Sequence, residues 1–509
     1  MQEYRCRGTI TVFLSILSVL FLSLACTLVE SARVQGARAK AAVVTDLGLF
    51  SVFGEYERGL LEDYDVFFLD GSYGTGTFQK ELAEERFQKY LEENLSAGES
   101  WYLKGFQMFP MQLSDCEVEN YALMTDDNGA VFYQQVVKNV KETLGTEMVS
   151  RYLESRNEVE KQEKAGEEYQ NSESNNQAEL TRIEQEAKEA EEAAAQDGVV
   201  VIPDEGEEIQ APAVKVNPLD VIKKVKKMGI LGLVLKDESQ VSTKAVEKAQ
   251  LPTGRTLNKG NLEMKKAETG LTAETIFQDY LVTHFPCKTS EEREGALEYQ
   301  VEYLLGGKSS DRENLKYVVN KLLLMREGAN FVCAAADASM RRQAEVLAMS
   351  LAGATGIAAL VPVVTTALLL AWAYGESLLD VRLLLAGGKV EVVKTAANWK
   401  LSLQNLGRIL EVLTECDQGG GQGLGYEEYL RLLLAGGSQE KYPMRALDLI
   451  EANLRLKEGT ENFRSDNCVA KVRATADWEL PMVFLRVPQA FLGKSAEGRQ
   501  LQVRGTFGY

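Results

Sequence analysis

The chain has 509 residues, of which 75 are acidic and 56 basic, so its formal net charge is −19 at pH 7. This length is typical of roughly two or three domains, and 45% hydrophobic residues are ordinary for a globular protein. The acidic balance argues against a nucleic-acid partner, because phosphate binding needs basic surfaces. The seven cysteines lie far apart, which argues against a zinc site and a dense disulfide framework.

The first element is an uninterrupted apolar run over residues 9–29. About 20 helical residues span the hydrocarbon core of a bilayer, so this run predicts a transmembrane helix. It continues directly into Glu30 and Arg33, without the small-residue pattern of a signal-peptidase site. We therefore predict a retained signal-anchor, in which residues 1–29 form a cytoplasmic stub and the transmembrane segment.

Charges on either side of the anchor indicate its orientation. Arg5 and Arg7 precede it, and short basic flanks tend to remain in the cytoplasm. Arg33, Arg38 and Lys40 follow the anchor and argue in the opposite direction. We predict a single-pass protein of the cell membrane, with a cytoplasmic N-terminus and the bulk of the chain exposed at the cell surface.

Residues 30–153 are predicted to form a helical stalk and a first α+β part. Apolar residues recur every three or four positions from Val34 to Phe53, with Leu47 and Phe50 among them, which is typical of a helix with one packed face. We expect this helix to continue to about residue 64. The segments that follow predict a strand over 66–69, a helix over 78–95, strands over 106–112 and 117–124, and a turn at 126–129.

Two less apolar segments follow. Residues 154–216 are predicted to be a solvated acidic helix or linker, because 154–208 holds eighteen acidic and five basic residues and few large apolar ones. Residues 217–271 are predicted to be a short core segment followed by a polar linker. The lysine-rich part of this segment, 218–235, fits either a membrane-surface patch or a helix followed by a buried strand, and we favour the second.

Residues 272–455 are predicted to form a helical core. The sequence allows two interpretations of residues 346–374, which carry no formal charge. They fit a second membrane span by hydropathy, but Gly353, Gly356 and Pro362 indicate a break between two packed core helices. We favour the core helices. The helices predicted elsewhere in this part are 274–284, 296–305, 312–325 and 329–351.

Residues 456–509 are predicted to be a C-terminal β segment, with strands over 467–474, 482–486 and 501–508. Together these elements predict a mostly helical α+β fold. In this fold an N-terminal transmembrane helix continues into a long helix, and a large extracytoplasmic domain closes with a small antiparallel sheet.

Side chains suited to catalysis or ligand binding are few. The single histidine, His284, has no nucleophile motif beside it, and the glycine-rich residues 419–425 do not follow an apolar strand, so we interpret them as a flexible loop. Glu298, Glu302 and Asp311 are candidates for a carboxylate site, and the first two would share a helix face, but any acidic protein contains such pairs. We predict no enzyme activity, no cofactor and no metal site.

Several segments resemble a family of unknown function from Gram-positive anaerobes, and together they cover nearly the whole chain. The resemblance implies association with tight-adherence (Flp-type) pilus assembly components and a TadE/TadG-like, pseudopilin-like N-terminus. The segments that carry it are 8–15, 30–33, 51–56, 60–70, 217–218, 229–235, 302–311, 326–330 and 370–382.

The pseudopilin resemblance implies a processing site that can be checked in the sequence. Prepilin peptidases cut after a glycine, and the mature helix usually has glutamate at its fifth position. Gly8 followed by Thr9 fits such a cleavage site, but the fifth residue after Gly8 is Phe13. This departure weakens the case for cleavage and for incorporation into a filament.

These observations predict a membrane-anchored, extracytoplasmic structural or accessory protein, a minor pseudopilin-like component of a pilus or secretion assembly. Its partners would be the membrane and, through the N-terminal helix, other membrane-anchored components of that assembly, with no nucleic acid. The first alternative is a two-span membrane adaptor or envelope sensor whose second span is 346–374. The second alternative is a surface-anchored hydrolase that uses Glu302 and Asp311.

Overall fold

The computed structural model divides into two compact units, which are described separately. The sheet unit comprises Met1–Val136, Arg255–Ala267 and Leu454–Tyr509, and the helical unit comprises Val137–Gly254 and Glu268–Asn453. The chain is mostly helical with one small antiparallel sheet, which confirms the predicted α+β class. The structure describes residues 3–96, 109–143, 161, 164–183, 185–186, 217–264, 270–353, 359–415, 420–484 and 498–509.

The first helix, α1, runs unbroken from Glu3 to Phe53. Its residues 9–29 are exposed except for two half-buried positions. Beyond them one face is buried in the sheet unit, with Val34, Ala37, Ala41, Val44, Leu49, Val52 and Phe53 in the core. Leu47 and Phe50 were predicted on this buried face but are exposed, because the helical period of 3.6 residues turns Leu49 and Val52 toward the sheet instead.

Helix α1 ends earlier than predicted. The chain leaves the helix at Gly54 and forms a separate short helix, α2, over Arg58–Tyr64. Glycine is a common residue just after a helix because it has no Cβ. The continuous helix expected to reach residue 64 is therefore two helices joined by a turn.

Four strands make the sheet, and β3 pairs antiparallel with the other three. The strands predicted over 106–112 and 117–124 correspond to the single strand β2, although residues 106–108 lie outside the described part. The described residues of the strand predicted over 482–486, Met482 to Phe484, are not a strand. The strands are β1 (Leu69–Asp70), β2 (Gln112–Leu123), β3 (Cys468–Leu480) and β4 (Arg499–Gly508).

The sheet core forms between α1, the strands and a third helix, α3, over Lys80–Ser96. Phe87 and Leu91 of α3 are buried against α1, where Gly48 leaves room for them: a Cβ at Gly48 would lie 2.9 Å from Leu91 Cδ2. The segment 255–264 also joins this unit, since Arg255 pairs with the buried Asp466 at 2.5 Å. Sequence-distant segments therefore build one core.

The helical unit begins within α4, Asp126–Thr143, whose first residues form the predicted turn with positive φ at Asp127, Asn128 and Gly129. Residues 164–183 form α5. The remaining helices are α6 (Pro218–Val225), α7 (Ile230–Val234), α8 (Leu271–His284), α9 (Gln300–Gly306), α10 (Asp311–Ala336), α11 (Ala338–Gly353), α12 (Leu360–Leu385), α13 (Ile409–Glu415), α14 (Tyr426–Gly436) and α15 (Tyr442–Leu454).

Three sequence predictions in this unit are wrong in part. The acidic helix was expected to be solvated, but α5 buries Tyr169 and Ile183. The strand expected within 218–235 is the helix α7, because a short, fully buried apolar run does not distinguish a strand from a helix. The break expected between 325 and 329 is absent, since α10 continues through Gly328 to Ala336.

Candidate functional site

The predicted processing and flanking residues begin in α1. Arg5, Arg7, Gly8 and Thr9 all lie within this helix, and Thr9 is exposed. The side chains of residues 1–8 lie outside the described part of the structure. Cleavage between Gly8 and Thr9 stays a prediction.

Glu30 and Arg33 were predicted as anchor flanks, and the structure brings them together in a buried ion pair. Arg33 Nη2 lies 2.5 Å from Glu30 Oε1, and the two residues are only 5% and 3% exposed. Arg33 also donates a hydrogen bond to the carbonyl of Pro481 at 2.6 Å. Glu30 Oε2 accepts the amides of Val483 at 3.3 Å and Phe484 at 2.9 Å.

We call this arrangement the collar: Glu30, Arg33 and residues 481–484. The collar binds residues 481–484, which follow β3, to α1 just beyond the apolar run. Both Glu30 oxygens are used, so the carboxylate has a structural role and is not poised for acid–base chemistry. The ion pair joins neighbours on one helix, but the partner segment was not visible in the sequence, because residues 33 and 481 are distant along the chain.

A second surface of α1 lies outside the core. Val43, Leu47 and Phe50 are 56%, 45% and 62% exposed and lie at helical spacing on one face. This outer stripe (Val43, Leu47 and Phe50) continues the direction of the exposed apolar run along the same helix. Such a stripe favours packing against another apolar helix.

Two described helices are long and apolar enough to cross a membrane, within Thr9–Phe53 and Leu360–Leu385. They differ in burial: in the most apolar window of each, no residue of α1 is buried, whereas 61% of α12 is. The N-terminal helix therefore fits a membrane anchor or a signal sequence. The burial of α12 favours the core-helix interpretation of residues 346–374, of which 354–358 lie outside the described residues.

The helical unit contains a buried cluster of charges, which the sequence analysis missed. Arg326 of α10 donates from Nε and Nη2 to Asp380 Oδ2, each at 3.1 Å. Lys394 pairs with Asp380 at 2.5 Å and with Glu376, and Arg326 also bonds the Tyr429 hydroxyl at 3.1 Å. The four charged residues are at most 6% exposed.

This cluster has a structural role, because its two cations and two carboxylates pair with one another and are shielded from solvent. Glu376 also accepts the amides of Lys400 at 2.9 Å and Leu401 at 2.7 Å. The cluster thus fixes the irregular segment after α12 against α10 and α12. The sequence signal was a set of charges on otherwise apolar helices, where burial usually requires a partner.

Glu302 and Asp311, two of the predicted carboxylate candidates, are both buried but separately bound. Asp311 accepts bonds from Ser242 Oγ at 2.6 Å and from the amide of Glu298 at 2.9 Å. Glu302 accepts from Tyr426 at 2.8 Å, and burial raises the pKa of Glu302 to about 7. Both residues are fully inaccessible to solvent, so a substrate in solution does not reach either carboxylate.

A cleft of about 230 Å³ in the helical unit is lined by Lys236, Lys288 and Arg382, among others. Arg382 donates to the carbonyls of Leu233 at 3.2 Å and Leu235 at 3.1 Å. Its guanidinium therefore closes the C-terminal end of α7 against α12. Cations at helix C-termini are stabilised by the helix dipole, which accounts for this charge without a ligand.

The other residues singled out by sequence also have structural surroundings. The His284 Nδ1 lies 3.0 Å from the carbonyl of Tyr280, and the two rings are 4.2 Å apart. In the glycine-rich segment, Leu424 exchanges backbone hydrogen bonds with Val390, and a Cβ at Gly423 would collide with that strand-like segment. Among the residues that the structure describes, no group of three His, Cys, Asp or Glu side chains is placed to hold a metal ion.

Comparison with known proteins shows a family but no individual relative. No curated protein and no solved structure matches the chain. A family of unknown function, DUF5702, matches residues 208–480, which include α6 to α15 and β3. Because this match covers more than half of the 509 residues, the chain belongs to the DUF5702 family of unknown function.

Proposed function

We propose that this protein is a membrane-anchored, extracytoplasmic accessory component of a pilus or secretion assembly in a Gram-positive anaerobe, with a pseudopilin-like N-terminus and no enzymatic activity. The observation that carries the proposal is the continuity of α1. One helix passes from a bare apolar segment, residues 9–29, into a segment packed on the sheet. A continuous helix of this kind transmits movement of the anchor directly to the folded unit, which supports a role as a subunit of an assembly.

The outer stripe supports lateral assembly. Val43, Leu47 and Phe50 remain exposed on α1 beyond the apolar run, and the Phe50 ring also contacts Phe507 of β4 edge-to-face. A helix that leaves the bilayer beside α1 and runs parallel to it would pack on this stripe. The partner we propose is therefore the N-terminal helix of another anchored chain of the same assembly.

Topology is the first part of the proposal to test. A protease-sensitive tag after Tyr509 is expected to be digested in intact cells stripped of their wall, because a single span places everything after residue 29 outside. Protection of the tag until the membrane is opened would reject a single span with the bulk of the chain outside. It would favour the alternative adaptor with a second span over 346–374.

Lateral contact is the second part to test. A photo-crosslinking amino acid at Leu47 is expected to capture the N-terminal helix of a second anchored chain, identified by mass spectrometry of the cross-linked peptides. The control is the same amino acid at Gln88 of α3, which is also exposed in the sheet unit. Equal cross-linking at the two positions, or adducts only with soluble proteins, would contradict the proposed interface.

A further inference from the structure

The collar places two apolar side chains where the anchor ends. Val483 and Phe484 are 41% and 38% exposed, and their amides are bound to Glu30, the first residue after the apolar run. Glu30 follows the last apolar residue by a single helical rise of about 1.5 Å. The backbone of 483–484 therefore lies at the level where α1 leaves the hydrocarbon core.

We propose that Val483 and Phe484 insert into the interfacial layer of the bilayer and form a second membrane contact of the sheet unit. This inference rests on the proposed membrane anchoring of α1. The interfacial layer on each side of a bilayer is several ångströms thick, since the full thickness of about 40–45 Å exceeds the core of about 30 Å. Side chains held at the level of Glu30 lie within that layer.

Charge at this level is compatible with a lipid surface. The one carboxylate at the end of the anchor, Glu30, is neutralised by Arg33 and covered by two amides, so it need not face the headgroups unpaired. At the same edge of the sheet, Arg499 pairs in register with Leu480 and is exposed. An exposed arginine beside apolar side chains suits a layer of lipid phosphates.

A bilayer explains this patch better than a protein partner. Val483 and Phe484 extend the exposed apolar surface formed by residues 9–29 of α1. The same bilayer would therefore cover both parts of this surface. Two contacts with the membrane, the anchor and the pair, would also restrict rotation of the sheet unit about the axis of α1. The unit would then present the same side to its neighbours in the membrane plane.

The test uses the full chain reconstituted in vesicles of phosphatidylcholine and phosphatidylglycerol. A trifluoromethyl-phenylalanine replaces Phe484 in one sample and Phe50 in the other. Phe50 is the matched control, because it is an exposed phenylalanine of the same unit about 30 Å farther along α1. Fluorine relaxation is measured with dissolved oxygen, which concentrates in bilayers, and with a water-soluble nickel chelate.

We expect the ratio of oxygen to nickel relaxation to be several-fold higher at position 484 than at position 50. Equal ratios would overturn the inference, and so would a probe at 484 that neither agent reaches, since protein would then cover the patch. Flotation of the vesicles separates the two proposals. A chain that does not float contradicts the anchor itself, whereas a floating chain with a water-exposed probe contradicts only the second contact.

Discussion

Helices α1 and α12 pass the same test of length and hydropathy, yet their surroundings are opposite. The apolar part of α1 is bare, with Leu20 61% exposed, whereas Leu378 of α12 is completely buried. The apolar run of α1 has no charged residue, but α12 carries Glu376, Asp380 and Arg382. Each of these three charges contacts protein groups in the helical unit.

The comparison shows that hydropathy identifies an apolar helix but does not tell whether lipid or protein surrounds it. A charge on an apolar helix is costly in lipid and in a protein core alike unless a partner compensates it. In α12 the partners come from α10 and from the segment after α12, through Arg326 and Lys394. The position of charges, and the availability of partners elsewhere in the chain, separates the two kinds of helix.

The largest expected effect comes from placing a charge in each helix. Leu378→Lys is expected to lower the free energy of unfolding by about 5 kcal/mol or more, because it removes a buried side chain and adds an unpaired ammonium. Leu20→Lys is expected to change that free energy by less than about 0.5 kcal/mol, since no protein packs there. Membrane insertion should instead become less favourable by about 3 kcal/mol.

Denaturant unfolding in detergent and flotation of membranes measure these two effects. The comparison would break if Leu378→Lys left the fold intact but reduced membrane association, because α12 would then behave as a span. It would also break if Leu20→Lys unfolded the protein. Each variant serves as the control of the other, since both replace leucine by lysine in an apolar helix.

The sequence predicted most elements of the fold but few of the contacts between distant segments. Local patterns were sufficient for α1 as far as Phe53, for most helices of the helical unit and for β3 and β4, because periodicity reports on faces that will be buried. They failed where a distant segment decides the outcome. Glu30 gave no sign that it binds Val483 and Phe484, and the burial of Tyr169 on an acidic helix depends on a surface of α10. The exposure of Leu47 depends on which side the sheet occupies.

A pH titration extends the comparison of α1 with α12. A titrating carboxyl lies among the residues that pack around α12, whereas residues 9–29 contain none. Glu327 of α10 is buried, and desolvation raises its pKa from 4.5 to about 8. Lys226, which lies 4.9 Å from the Tyr374 ring of α12, lowers this pKa, and Glu173 of α5 raises it. Between pH 4.5 and about 8, Glu327 keeps its proton in the folded protein but loses it in the unfolded chain. The free energy of unfolding therefore falls as pH rises through this range.

Glu327→Gln is expected to remove that dependence. The variant should gain stability relative to the natural chain as pH rises, by roughly 5 kcal/mol above pH 8, with little difference below pH 4.5. Denaturant unfolding at several pH values measures the gain. Glu345→Gln, at an exposed carboxyl of α11, is the control and should show no such trend. A gain at Glu327 that does not change with pH would reject the titration of this group.

The smallest effect concerns how closely α5 fits the helices that it covers. A Cβ at Gly328 of α10 would lie within 2.6 Å of the carbonyl oxygen of Ala165, so Gly328→Ala must push α5 away. On the other side of the same contact, a Cβ at Gly166 would lie 3.7 Å from Leu324, an ordinary contact distance. Gly328→Ala is therefore expected to lower the free energy of unfolding by about 1–2 kcal/mol, despite the better helix propensity of alanine.

Gly166→Ala is the matched control, because it makes the same replacement at the same contact and should be neutral or stabilising by up to about 1 kcal/mol. Limited proteolysis gives an independent readout: cleavage within α5 should accelerate in Gly328→Ala and not in Gly166→Ala. Since Ile183 of α5 packs with Leu360 of α12, loosening α5 also uncovers the start of α12. Equal behaviour of the two variants would mean that α12 owes its burial to the other helices and not to the fit of α5.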